Sequence, residues 1–143
     1  MSFALTVDNV LFAEREGTLR VLMVRRKHEP FQGSWALPGG FVDEEEDLPA
    51  AAARELFEET GLRDLPGVTF EQLGAYGRPG RDPRGRTVSV AYVGLAAVEP
   101  QPQGADDAEE AAFLDAGDVV QGRVPVAFDH REIVSDALRR LRP

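Results

Sequence analysis

The chain has 143 residues, the size of one domain and long enough to bury a core without disulfides or structural metals. It has no cysteine and no apolar stretch of the roughly 20 residues that a membrane helix needs, which argues against disulfide frameworks, thiolate metal sites and a membrane span. Its net charge of -9 argues against duplex nucleic acid as a ligand, because phosphate binding depends on clusters of Lys and Arg.

The first half of the chain predicts a β-hairpin, a short strand and one helix. The predicted elements before the helix are, in chain order, a strand at 3–14, a turn at Glu16-Gly17, a strand at 19–26, a loop at 27–33 and a short strand at 35–37. The sequence Pro38-Gly39-Gly40 then breaks the chain sharply. Asp47 is placed to cap the helix that follows, Pro49 is tolerated in its first turn, and Gly61 ends it.

The second half predicts further strands and a closing helix. The predicted elements are strands at 68–76 and 87–98, an edge strand at 111–114, a helical turn at 115–121 and a final helix, with irregular loops at 77–86 and 100–107. Asp129 and Glu132 form an approximate capping box for that last helix. Strands around one helix, with a second helix at the end, predict an α/β (α+β) fold with a mixed sheet between helices.

Three glutamates, Glu55, Glu58 and Glu59, share one sector of the predicted first helix at about 100° per residue. The apolar residues expected on the opposite, packed face are Ala50, Ala53, Leu56 and Phe57. Magnesium prefers oxygen ligands and is usually held by a few carboxylates together with substrate phosphates, so the three glutamates fit a magnesium site. For three glutamates alone, an exposed polar helix face is the alternative.

The glutamates belong to a longer pattern of strict spacing. Gly40 is followed, in order, by five residues, Glu46, seven residues, Arg54-Glu55-Leu56, one residue, Glu58-Glu59, one residue and Gly61-Leu62. These residues fill every fixed position of the Nudix signature, so the chain resembles a Nudix hydrolase. It departs from the family at Glu45, where glycine is frequent, although the signature leaves that position variable. Glu46 also lies near enough to Arg54 for an expected salt bridge between loop and helix.

The resemblance implies a single domain over residues 1–143 with a Nudix-type α/β/α sandwich. It implies a metal site for Mg²⁺, with Mn²⁺ as the alternative, whose ligands are Glu55, Glu58, Glu59 and Gly40. The catalytic residues that it implies in the box are Glu58, Glu55 and Arg54, with Arg54 orienting Glu55. Homodimers are common in the family. Because the N-terminus lacks the basic flank and apolar run of a signal peptide, we expect a cytoplasmic protein.

The loop at 77–86 and the strand after it resemble those of ADP-ribose pyrophosphatases, in which a proline at the position of Pro79 marks ADP-ribose hydrolysis. The loop is rich in arginine, whose planar donor fork suits diphosphate or ribose oxygens, although a solvated basic loop is the alternative. The candidate substrate contacts are Arg26, Trp35, Arg78, Arg81 and Arg84. For Trp35, stacking on adenine competes with plain core packing. We expect a structural role for His130, and His28 is a weaker candidate for a phosphate contact.

A general base must also reach the attacking water, and in the family it comes from the box or from a glutamate on a later loop. The corresponding loop here is 106–111, and Glu110 matches the family spacing better than Glu109. The family often continues with Arg-Trp, where this chain has Ala112-Phe113.

The expected reaction is Mg²⁺-dependent hydrolysis of ADP-ribose, a small-molecule nucleotide substrate, to AMP and ribose 5-phosphate. The first alternative is a Nudix hydrolase of nucleoside triphosphates or dinucleoside polyphosphates. The second is a non-catalytic ADP-ribose-sensing domain, whose relatives carry a helix-turn-helix extension and often a degraded box. Because every box carboxylate is present here, the sequence favours an enzyme.

Overall fold

The structure is a computed structural model that describes residues 2–103 and 108–141. Its strands are β1 (Ala4–Arg15), β2 (Thr18–Arg26), β3 (Trp35–Ala36), β4 (Gly39–Phe41), β5 (Glu71–Tyr76), β6 (Thr87–Ala96) and β7 (Ala108–Asp115). Its helices are α1 (Leu48–Thr60), α2 (Ala116–Val120) and α3 (His130–Leu141). In the described ranges, no helix is long and apolar enough to cross a membrane.

The described strands form one mixed sheet. Its main path runs β3-β2-β1-β6-β5, while β4 pairs with β1 and β7 pairs with β2. β1 and β6 are parallel over ten residues of each, from Ala4↔Thr87 to Ala13↔Ala96, and the other pairs are antiparallel. The mixed sheet predicted from the sequence is therefore confirmed.

Strand β1 runs through the centre of the molecule and is buried on both faces. Its alternate residues Val10 and Phe12 pack in the cluster that includes α2 and α3, whereas Val7 and Leu11 pack in the two clusters that include α1. A strand with apolar neighbours on both faces reads as an apolar run, which here extends from Val10 to Ala13 after the polar residues Asp8 and Asn9. Helices thus cover both faces of the sheet, and the expected α/β/α sandwich is confirmed.

The sheet splits between β1 and β2, and this split positions the site. The two strands pair only near their turn, from Phe12↔Val21 to Arg15↔Thr18. Beyond that point, β2 pairs with β3 and β1 pairs with β4, so that residues 35–41 lie between the diverging strands. Asn9 holds this insertion in place, since its amide donates to the carbonyls of Pro38 (3.2 Å) and Ala52 of α1 (3.0 Å).

Helix α1 has the predicted ends but a different packed face. The Asp47 side chain accepts from Leu48 N–H, and Gly61 ends the helix with φ 75°. The buried residues of the helix are Ala51, Ala52, Leu56 and Thr60. Ala50, Ala53 and Phe57 are exposed, so the expectation that they pack was wrong for those three. The helix is rotated so that Glu55 and Glu59 share the sector that faces β4, where the glycine turn makes room for them.

Candidate active site

Arg54 joins the helix to the loop before it. Its guanidinium donates to Glu46 through Nε (2.7 Å) and Nη2 (2.9 Å), to Glu55 (2.7 Å) and Glu58 (3.2 Å) through Nη1, and to the Phe41 carbonyl (3.1 Å) through Nη2. An arginine has five N–H donors, and each of them is used here. The hydrogen bonds from Arg54 hold the pKa of the Glu46 carboxyl at about 2. The predicted salt bridge and the orientation of Glu55 by Arg54 are both present.

The glycine turn lies against the carboxylates of α1. Gly39 N–H donates to Glu59 Oε1 at 2.7 Å. A Cβ atom on Gly40 would lie 2.5 Å from Glu55 Oε2, and one on Gly39 would lie 2.1 Å from the Val7 carbonyl oxygen. Neither glycine has a positive φ. Glycine serves here for close approach between the turn, β1 and α1.

Burial and mutual repulsion make the carboxylates of α1 a high-energy cluster. Burial raises the pKa of Glu55, and Arg54 only partly offsets this effect. Burial raises the pKa of Glu59 to about 8, with the charges of Glu55 and Asp8 adding to it. A cation bound among these oxygens would relieve both the desolvation and the repulsion of the charged forms.

The donor chemistry of this cluster fits a hard divalent cation, because carboxylate and carbonyl oxygens are the ligands that Mg²⁺ prefers. The carboxylates of Glu55, Glu58 and Glu59, however, do not point at one common position. In residues 2–103 and 108–141, no three His, Cys, Asp or Glu side chains are grouped so that they could hold a metal. Arg54 holds Glu55 and Glu58, while Gly39 holds Glu59. Metal binding at Glu55, Glu58, Glu59 and the Gly40 carbonyl therefore requires side-chain rotation, and the assignment stays a prediction.

A cavity opens beside Glu59 at the split of the sheet. Of the predicted residues, it is lined by Glu59, Gly40, Arg26, Arg81 and Arg84, together with His28. Further residues that line it and were not predicted are Asp8, Phe41, Asp82, Phe128 and His130, the last of which was expected to be structural. The sequence did hold one signal for Asp8, an acidic residue within an otherwise apolar central strand.

The buried polar group at one end of this cavity is the Asp8-His130-Ser89 network. Ser89 Oγ donates to Asp8 Oδ2 at 2.5 Å, and His130 Nε2 lies 3.4 Å from Asp8 Oδ1. Leu37 N–H donates to His130 Nδ1 at 2.9 Å, so the proton of the neutral ring is on Nε2, facing Asp8. Burial alone would raise the pKa of Asp8, but His130, Ser89 and Arg81 outweigh it and keep that pKa below its ordinary value.

The loop arginines divide into two groups. Arg84 lines the cavity, where Asp82 accepts from its Nε (3.1 Å) and Nη2 (2.8 Å). Arg81 also lines the cavity, but it is 4% exposed and its Nε and Nη2 both donate to Asp129, at 2.9 and 2.6 Å. Arg78 does not line the cavity, and its Nη2 donates to Glu132 at 3.3 Å. The structure thus gives Arg78 and Arg81 anchoring contacts to α3.

Asp129 and Glu132 do not form the predicted capping box. Their carboxylates accept hydrogen bonds from Arg81 and Arg78, which hold the 77–86 loop against the start of α3. Tyr76 extends the same contact by donating to Asp136 at 2.7 Å. Positions 129, 132 and 136 lie on one helix face, so the acidic side chains of α3 form a row that the loop follows.

The predicted residues outside the lining of the cavity are Arg54, Glu55 and Glu58 of α1, Arg78, Trp35 and Glu110. Trp35 packs against the cluster that contains α2 and α3, as the alternative of core packing predicts. Glu110 lies on β7 and accepts from Arg25 at 2.9 Å, and Arg25 itself lines the cavity. The structure describes only part of the predicted acidic loop at 106–111. Residues 106 and 107 lie outside the described part of the chain, and the side chain of Glu109 is not described.

Comparison with known proteins agrees with this geometry. The family model described as NUDIX domain matches residues 2–137. The chain belongs to the Nudix family. This Nudix chain is 39% identical to the ADP-ribose pyrophosphatase of Methanocaldococcus jannaschii over 136 residues, which cover 95% of the chain and 73% of that protein. Family and relative together make it a Nudix pyrophosphohydrolase, and Nudix hydrolases generally use divalent metal ions.

Other relatives of the Nudix chain are regulators. It is 37% identical to the ADPR responsive transcriptional repressor NtrR of Acinetobacter baylyi over 139 residues, covering 96% of the chain but 54% of the repressor. The NUDIX domain of Shewanella oneidensis NrtR complexed with ADP ribose superimposes with a TM-score of 0.89 at 38% identity, covering 99% of this chain and 90% of that one. The same Shewanella protein complexed with a 27mer DNA gives a TM-score of 0.79 at 39% identity, with coverages of 96% and 61%.

The five hydrogen bonds of Arg54 predict that lysine cannot replace it. Arg54→Lys keeps the charge but removes the planar fork, so we expect the free energy of unfolding to fall by about 1 to 3 kcal/mol. Urea titration measures this change. Arg123→Lys is the matched control, because Arg123 is 61% exposed with one ion pair to Asp118, and it should change stability by less than about 0.5 kcal/mol. Equal stabilities of the two variants would contradict the role given to Arg54.

The pKa of Glu59 predicts a pH dependence of stability in the metal-free protein. A carboxyl whose pKa rises from 4.5 to about 8 on folding stabilises the fold fully below its unfolded pKa, and this contribution is lost as the pH rises through 8. With EDTA present, the unfolding free energy of the wild type should fall between pH 5 and 8 more steeply than that of Glu59→Gln, by up to about 1 kcal/mol per pH unit. Glu71→Gln, at an exposed strand position, should keep the wild-type slope. Identical slopes for wild type and Glu59→Gln would refute this assignment.

Proposed function

We propose that this Nudix chain hydrolyses the pyrophosphate bond of a nucleoside diphosphate derivative, with ADP-ribose giving AMP and ribose 5-phosphate. The observation that carries the proposal is the complete constellation around Arg54, in which Glu46, Glu55 and Glu58 are all engaged beside a cavity with cationic side chains. The 39% identity to an ADP-ribose pyrophosphatase supports the choice of substrate.

The cavity is lined by groups of both charges, which suits a metal-bound diphosphate. Glu59 and the Gly40 backbone line it together with Arg26 and Arg84. Burial lowers the pKa of the Arg26 guanidinium, and the charge of Arg84 lowers it further. An anionic phosphate beside the Arg26 guanidinium would relieve this repulsion and accept charge-assisted hydrogen bonds from Arg26.

In the proposed reaction, some residues of the box are metal ligands and others orient those ligands. Glu55, Glu58, Glu59 and the Gly40 carbonyl would hold Mg²⁺, or Mn²⁺, which when bound lowers the pKa of a water and neutralises charge on the phosphates. Arg54 keeps Glu55 directed towards the glycine turn, and Gly39 N–H orients Glu59. Glu110 stays a prediction for the general base, one ion pair away from the cavity through Arg25.

A substrate panel tests the proposal. Purified protein with Mg²⁺ should release AMP from ADP-ribose with a higher kcat/KM than it shows for 8-oxo-dGTP or diadenosine tetraphosphate, with the products identified by chromatography. Preference for 8-oxo-dGTP or diadenosine tetraphosphate would replace the proposed substrate with the triphosphate or dinucleoside alternative.

Glu58→Gln should lower kcat for ADP-ribose by at least about 100-fold without unfolding the protein, because it removes a metal-binding charge at an exposed position. The melting temperature, followed by circular dichroism, verifies folding. Glu45→Gln is the control, since Glu45 is an exposed box residue at a variable position, and its kcat should match that of the wild type. Unchanged turnover in Glu58→Gln would remove Glu58 from the ligand set.

Sensing of ADP-ribose without cleavage is the second candidate function. It is supported by the 37% identity to an ADPR responsive repressor and by the similarity to a NUDIX domain complexed with ADP ribose. Binding of ADP-ribose with Mg²⁺ present and no release of AMP would favour this function. The homodimer and the cytoplasmic location stay predictions, as does the absence of a nucleic-acid ligand.

A further inference from the structure

Three planar groups line one side of the cavity and form what we call the aromatic wall: Phe41, Arg84 and Phe128. The Arg84 guanidinium carbon lies 5.2 Å from the centre of the Phe41 ring and 5.5 Å from that of Phe128. The Arg26 guanidinium carbon lies 5.0 Å from the Phe128 ring centre. These distances are those of cation–π contacts, so the wall is an interacting unit.

The Arg84 guanidinium of this wall is held in place by a buried carboxylate of the same loop. Asp82 is 5% exposed, and it accepts hydrogen bonds from Arg84 Nε, Arg84 Nη2 and the Arg84 backbone N–H. A bidentate pair fixes the plane of the guanidinium as well as its position. Arg84 is therefore presented to the cavity in a defined orientation, with less conformational freedom to lose when a ligand binds.

Of the two aromatic residues of the wall, Phe41 is exposed to solvent and Phe128 has a strained backbone conformation. Phe41 is 47% exposed, although it is a large apolar side chain. Phe128 has a φ of 54°, a backbone region that bulky residues seldom adopt. Its ring packs against that of Phe31, which also has a positive φ, with ring centroids 4.8 Å apart. Left-handed conformations of this kind cluster at ligand-binding sites, where the surrounding structure compensates for the strain.

We propose that the aromatic wall binds the nucleobase of the substrate by stacking. Every base has a flat π-face that stacks on aromatic rings and on guanidinium planes, and Phe41 directly follows Gly40, next to the region assigned to the phosphates. The wall thereby takes the role that the sequence suggested for Trp35, which lies outside the cavity lining. The proposal rests on the proposed function, because it identifies the ligand as a nucleotide, and it extends that function by locating the base.

The test compares a ligand that has a base with one that lacks it. Dissociation constants of AMP and of ribose 5-phosphate are measured by calorimetry on the full chain with Mg²⁺. Phe41→Ala should weaken AMP binding by roughly 5- to 100-fold, the loss expected for one base–aromatic stack, and should leave ribose 5-phosphate binding within about twofold. Phe41→Tyr, which keeps the ring, should bind AMP like the wild type, whereas Phe41→Leu, which keeps apolar volume without a ring, should resemble Phe41→Ala.

Phe3 provides a matched control in the same chain. It is 53% exposed, and the Arg86 guanidinium carbon lies 5.0 Å from its ring centre, yet it does not line the cavity. Phe3→Ala should therefore leave AMP binding unchanged. If Phe41→Ala does not fold, the AMP affinities of Phe41→Leu and Phe41→Tyr are compared instead. Both variants keep a large side chain, but only Phe41→Tyr keeps an aromatic ring.

The outcomes separate this proposal from the proposed function. AMP affinity that is unchanged in the ringless Phe41 variants, or an equal loss of ribose 5-phosphate affinity, would overturn the aromatic wall as the base site. Wild-type protein that does not bind AMP would overturn it as well. Wild-type protein that binds AMP in a ring-dependent way, but releases no AMP from ADP-ribose, would refute the proposed hydrolysis and leave the base site standing.

Discussion

The site depends on one guanidinium, that of Arg54. Its five N–H donors reach two elements, the loop through Glu46 and the Phe41 carbonyl, and the helix through Glu55 and Glu58. Because every donor is used, no single hydrogen bond can be lengthened without disturbing the others. Arg54 therefore fixes the distance between the glycine turn and α1. Glycine is required at position 39, where a Cβ would lie 2.1 Å from the Val7 carbonyl oxygen, and a Cβ on Gly40 would displace the Glu55 carboxylate.

The charge balance around Arg54 leaves the same cluster with excess negative charge. One guanidinium forms ion pairs with four carboxylates, those of Asp43, Glu46, Glu55 and Glu58, whereas the Glu59 carboxylate accepts from Gly39 N–H. The cluster thus keeps excess negative charge in a partly buried position, and burial raises the pKa values of Glu55 and Glu59. Structural needs alone would not concentrate carboxylates in this way, because uncompensated buried charge is destabilising. A divalent cation would supply the missing charge.

The opposite side of the cavity is built from a different set of contacts. The acidic row of α3 holds the 77–86 loop through Arg81, Arg78 and Tyr76, and Asp82 then fixes Arg84 towards the cavity. Arg84 and Phe128 thereby line the same cavity as Glu59 and the glycine turn. The split in the sheet follows from the divergence of β1 and β2, between which residues 35–41 are inserted. Opposite charges on two rigid elements suit a ligand with both phosphates and a flat base.

Much of this protein was determined by the sequence itself. The ends of α1 follow from local rules, with Asp47 as the cap and Gly61 as the left-handed end, and the spacing of Arg54, Glu55 and Glu58 along one helix places them together in any structure that keeps the helix. The β-branched and large apolar residues of the first segment likewise predict a strand of a hairpin, which the structure contains as β1 and β2. Only the tertiary structure decided the acidic partners of the loop arginines. Arg84 pairs with the nearby Asp82, whereas Arg81 pairs with Asp129, which lies 48 residues away in the chain. Asp8, Phe128 and His130 meet at the cavity for the same reason: no local pattern records the contact of a strand, a loop and a helix that are distant in the chain.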